Sequence, residues 1–117
     1  MDSILITIKK LLGLDPDYHD FDMDVIMAIN TALMTAHQVG AGKELYITGD
    51  TETWDDFLDG QTNIEVVKTY VYLKTRMIFD PPTSGTIAEA YNNQIKEYEY
   101  RLYVAKDNEN YGRSDLS

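Results

Sequence analysis

The chain has 117 residues, a mass of 13.4 kDa, and 44% hydrophobic and 26% charged residues. That is the size and composition of one folded domain, not of a disordered segment. The absence of cysteine excludes disulfides, thiolate metal sites and cysteine nucleophiles, and a net charge of −10 makes the chain a poor binder of duplex DNA overall, since non-specific binding needs clustered Lys and Arg.

Ser3 to Leu12 predict the first helix, with Ile4, Leu5, Ile8, Leu11 and Leu12 on one stripe. Ser3 is its N-cap, and Gly13 followed by Leu14 suits a left-handed C-terminal turn. Asp15-Pro16 then forbids continuation. Asp15, Asp17, Asp20, Asp22 and Asp24 form an acidic stretch. Its sixth and twelfth positions, Asp20 and Ile26, lack the glycine and glutamate of a calcium loop. A solvated loop leading into a helix cap is the expectation, with Asp22 as N-cap and Phe21 and Ile26 as a hydrophobic staple.

The second helix is predicted from Met23 to Val39, burying Ile26, Ile29, Leu33 and Ala36. His19 and His37 lack any metal-ligand spacing. Residues 40–63 read as a long loop with a short extended stretch at Leu45–Thr48. A Thr53-capped turn would place Trp54, Phe57 and Leu58 on one face. That face is either an aromatic lid on the core or a subunit contact.

A capping box at Thr62 and Glu65 opens the third helix, Ile64 to Phe79, with Val67, Val71 and Ile78 on its buried side. Asp80-Pro81-Pro82 ends it. A second box at Thr86 and Glu89 opens the fourth, whose stripe is Ile87, Tyr91, Ile95, Tyr98, Leu102 and Ala105. Tyr100 and Tyr103 fall outside that stripe. The nine tyrosines suggest contact surface, because tyrosine is favoured at interfaces. The expected fold is mainly α: about four helices with a long, partly extended loop between the second and third. Residues 1–106 read as one helical domain and residues 107–117 as a flexible C-terminal tail.

Residues 1–60 carry twelve acids and three bases; residues 61–117 carry eight acids and seven bases. One surface built to repel polyanions beside another built for contacts is one reading of this imbalance, and a solvated acidic face is the other. Phosphate-binding glycine loops and a GxSxG elbow are both missing. The N-terminus, MDSILITIKK, lacks the basic start of a signal peptide, so synthesis in the cytoplasm is expected, and no apolar run is long enough to span a membrane.

The segments IKKLLGL, FDMDVIMAIN, TWDDFL, VKTYVYLKTRMIFDPP and IAEAYNNQIKEYEYRL, in that order, resemble the head–tail connector (adaptor or head-completion) proteins of long-tailed bacteriophages and related prophages. The resemblance covers about residues 4–105 and is strongest at Val67–Pro82 and Asn93–Leu102. It implies a virion protein at the head–tail junction that forms a ring of roughly a dozen copies under the portal protein. Such a ring extends the DNA channel, passes DNA without specific binding, and gives the next head-completion, stopper or tail protein a platform. It implies no enzyme activity and no cofactor. With it, Trp54, Phe57, Tyr98, Tyr100 and Tyr103 become candidate subunit or partner contacts. Asp15, Asp17, Asp20, Asp50, Asp55, Asp56 and Asp59 become candidate channel-lining acids. Two alternatives stand beside it: an acidic DNA mimic that blocks a host DNA-binding protein, and a small carboxylate-based hydrolase.

Overall fold

The computed structural model describes the backbone of residues 2–115 and the side chains of residues 2–107. Its five helices are α1 (Ile4–Leu11), α2 (Asp22–Gln38), α3 (Trp54–Leu58), α4 (Ile64–Phe79) and α5 (Gly85–Asp115). The architecture is mainly α. Among the described residues the sole β pairing is an isolated antiparallel bridge between Ser3 and Thr53. The extended stretch expected at Leu45–Thr48 therefore has no strand partner.

Local chemistry explains α1 at both ends. The Ser3 hydroxyl accepts the Ile6 N–H at 3.3 Å. At the other end Gly13 N–H reaches Lys10 O and Leu14 N–H reaches Lys9 O, with Gly13 at φ +82°. That pair of bonds is a Schellman motif, and its left-handed residue favours glycine.

Between α1 and α2 the chain wraps around a lysine. Lys9 is only 1% exposed, and its ammonium donates to Pro16 O (3.0 Å), Tyr18 O (2.6 Å) and Asp22 Oδ1 (2.6 Å). Three donors meet three acceptors, which is what a buried ammonium requires. This corrects the expected cap. The Asp22 carboxylate is drawn to Lys9 and to His19 Nδ1 (2.7 Å) and makes no cap hydrogen bond at the start of α2. Phe21 stacks edge-on against Tyr18 and Phe79, at centroid distances of 5.7 and 5.9 Å.

Two other helix starts also differ from expectation. α4 begins after Asn63 with no side-chain cap, so the Thr62–Glu65 box does not form. The α5 cap is Ser84, whose hydroxyl accepts Ile87 N–H at 3.4 Å, two residues before the expected Thr86. α5 also runs on through the segment expected as a tail, its backbone staying helical to Asp115. Extending an existing helix costs far less than nucleating one, and no proline interrupts residues 85–115. Leu116 and Ser117 lie outside the described residues.

α4 lies against α2 along most of its length and against α5 over a shorter stretch, while α2 and α5 touch little. The layer is thin, with Cα extents of 52 × 35 × 17 Å. Ile29, Leu33, Val67, Val71 and Tyr70 form its centre, α1 adds Ile4, Leu5 and Ile8, and α5 adds Ile95 and Leu102. Tyr70 is buried; its hydroxyl donates to Glu99 Oε2 at 2.8 Å and lies 3.1 Å from the Thr35 hydroxyl, joining α2, α4 and α5. Burial, helped by the Glu99 charge, holds this phenol above its ordinary pKa.

The long loop is held by side chains. Asn30 donates to Ile47 O (3.0 Å) and accepts Ile47 N–H (2.7 Å), standing in for the absent strand neighbour. Thr53 and Asp56 complete a capping box on α3. Trp54 and Phe57 are fully buried, and the Trp54 indole N–H reaches Thr7 Oγ1 at 3.1 Å. Gly42 sits at φ +60° against Phe57, where an added Cβ would come within 2.6 Å of the ring.

Candidate interaction surfaces

Helix α2 is apolar on two sides. Val25, Ala28, Ile29, Ala32, Leu33 and Ala36 face the core. On the opposite face stand Met23 (77% exposed), Met27 (66%) and Met34 (43%). Their spacing of four and seven residues keeps them in line, over about 17 Å of helix. The line ends beside Tyr46, which shares a shallow cavity with Met34 and is itself exposed.

Next to Met27 lies a groove of about 690 Å³ walled by Leu14, Phe21, Ala28, Ile78 and Phe79, with Asp24 and Asp80 at its edge. Ile78 corrects a core expectation. It keeps the helical register of Val67 and Val71, yet it is 49% exposed because it lines the open groove at this end of the layer. A contiguous exposed apolar surface of this kind marks an interaction site more often than scattered single residues do.

The second exposed apolar face is on α5. Tyr100 (69%) and Tyr103 (62%) point away from the side that buries Ile95 and Leu102. Tyr98 is half-buried against the core, with the Arg101 guanidinium 5.6 Å from its ring centre. Of the five contact candidates, then, Tyr100 and Tyr103 present open surface and Tyr98 presents part of one. Trp54 and Phe57 are inside the fold, as a lid on the core would be, and present no open surface of their own.

The seven candidate acids are all exposed, but they do not form one group. Asp50 shares a cavity of about 360 Å³ with Pro16, His19 and Asp22, which brings it beside the loop carrying Asp15, Asp17 and Asp20. Asp15 accepts Asp17 N–H (2.9 Å), and Asp20 accepts the Tyr18 hydroxyl (3.0 Å). Asp55 and Asp56 are on α3. Asp59 borders a different cavity, lined by Gly40, Gly42, Leu102 and Lys106 among others. Among the described residues no group of three or more His, Cys, Asp or Glu side chains could hold a metal ion. None of the described helices is long and apolar enough to cross a membrane.

A family model described as phage connector protein matches residues 4–109. The chain belongs to this phage connector family. Curated proteins and solved structures give no significant match to the connector.

Carboxyls at the start of α2 and on α3 are held below their ordinary range. The hydrogen bond from Lys9 holds the Asp22 carboxyl below its ordinary pKa, with His19 adding to the effect. The Thr53 backbone N–H does the same for Asp56. A carboxyl depressed in the folded state stabilises the fold above its unfolded pKa of about 3.9, and that stability is lost as pH falls through the lower folded value. Unfolding midpoints of the connector should therefore hold steady from pH 7 to about pH 4 and fall below it. Asp22→Asn should be less stable at pH 7 and lose less on acidification. Equal acid slopes in the two proteins would remove Asp22 from this account.

Proposed function

We propose that the connector is a structural virion protein that assembles as a ring of roughly a dozen copies beneath the portal protein. In this role it lengthens the DNA channel and presents its far side to the next head-completion or tail protein. The family match over residues 4–109 carries the reading. Two separate exposed apolar faces support it, because a subunit in a closed ring needs two different contact surfaces.

The exposed acids support the channel role. A duct that passes DNA without gripping it is best lined by like charge, and Asp50 beside the Asp15–Asp20 loop supplies the denser cluster. Asp55, Asp56 and Asp59 extend acidic surface from α3. The C-terminal part of α5 is the segment we assign to portal docking.

Light scattering of the purified chain across concentration, with electron micrographs of any large species, tests the assembly. Closed rings, formed alone or on added portal particles, are the expected result. A protein that stays monomeric even with portal particles present would defeat the reading and favour an acidic DNA mimic.

A further inference from the structure

We infer that neighbouring copies of the connector meet face to back, with the methionine face of α2 in one copy seated on the tyrosine face of α5 in the next. This rests on the ring reading above and names the surfaces that would carry it.

The first support is position. α4 lies between α2 and α5 in a thin layer, so the two exposed faces stand on opposite flanks of the molecule. Joining opposite flanks makes a heterologous contact, the kind that repeats around a ring.

The second support is chemistry. Met23 and Met27 offer flexible, polarisable side chains that adapt to a partner's shape and pack favourably on aromatic rings. Tyr100 and Tyr103 supply such rings as broad, stiff contact surface.

The third is charge. Asp24 and Asp80 border the groove beside Met27, while the tyrosine face of α5 carries Lys96 one turn before Tyr100, with Glu89 and Asp107 in the same register further along the helix. A contact between two α2 faces would instead bring Asp24 and Asp80 of one copy toward the same carboxylates of the other, which is unfavourable.

The chain has no cysteine, so a single introduced thiol is unique. Full-length Met27→Cys and Tyr100→Cys chains with different tags are mixed and mildly oxidised; Met23→Cys with Tyr103→Cys is a second pair that allows for a shift in register. All four positions are exposed, and circular dichroism checks that each variant folds. Light scattering on the same samples reports assembly.

The expected result is a mixed disulfide, in at least one pair, about tenfold over either like-with-like product, the preference that ~1.4 kcal/mol of contact energy gives. Assembled rings that yield no mixed product, or mainly Met27→Cys paired with itself, would overturn this pairing and leave the ring reading standing. A chain that neither scatters as an assembly nor cross-links would overturn the pairing between free copies. Whether rings then form on portal particles decides the ring reading separately.

Discussion

Lys9→Met should destabilise the connector by about 3 kcal/mol and lower its thermal midpoint by roughly 10 °C. The substitution keeps the length and apolar stem of the side chain and deletes only the ammonium. Left behind are two carbonyls, Pro16 O and Tyr18 O, and the Asp22 carboxylate, all of which the ammonium served. Breaking a buried pair by removing one partner typically costs about 3–5 kcal/mol. The low end applies because the Asp22 side chain remains 24% exposed and can regain water. Thermal or urea unfolding measures the loss, and an unchanged midpoint would mean that the ammonium contributes no net stability. Lys9→Met combined with Asp22→Asn should be less harmful than the sum of the two single changes, since the second removes the charge that the first strands.

Trp54→Ala should cost about 3–5 kcal/mol, a large share of the 5–15 kcal/mol that a domain of this kind has. The ring is fully buried, and Lys68 Nζ lies 5.9 Å from its centre. The indole N–H also bonds Thr7 on α1, so the same side chain fastens α3 and the long loop to the N-terminal helix. Trp54→Phe keeps an aromatic ring and loses that bond, so it should fall between wild type and Trp54→Ala. If Trp54→Ala unfolds at the wild-type midpoint, the α3 lid is not part of the cooperative core.

Where the controlling interaction lies within a few residues, the fold was readable from the sequence. Ser3, Gly13 and Thr53 act on backbone groups two to four positions away, and each does what its type and place suggest. Asp22 has the right type and place for a cap but is claimed by Lys9, thirteen residues earlier. No local pattern encodes that. Ser84 and Thr86 both suit a cap by type, with serine the stronger, and the Glu89 that completes a box with Thr86 points to the wrong one.

The interaction surface was legible in part. Tyr100 and Tyr103 stood out because they miss the buried stripe of α5. Met23, Met27 and Met34 do not stand out, because α2 already has a sufficient apolar face without them. Their i, i+4, i+11 spacing was the available signal. Ile78 shares the buried register of α4, but register shows which side of a helix a residue occupies and not whether a neighbouring helix reaches that far. Trp54 and Phe57 are ambiguous by type, since an aromatic face is equally suited to a core and to a partner.

The outward methionines make the connector's surface sensitive to oxidants. Met23 and Met27 are open to solvent, whereas Met77 is partly buried against the core. Peroxide therefore reaches the α2 face first and turns its thioethers into sulfoxides, which are polar and chiral. The core would stay packed while the outer face of α2 lost its apolar character. Protein prepared without protection from air would keep its fold and carry a polar flank in place of an apolar one, and a sulfoxide reductase would reverse the change.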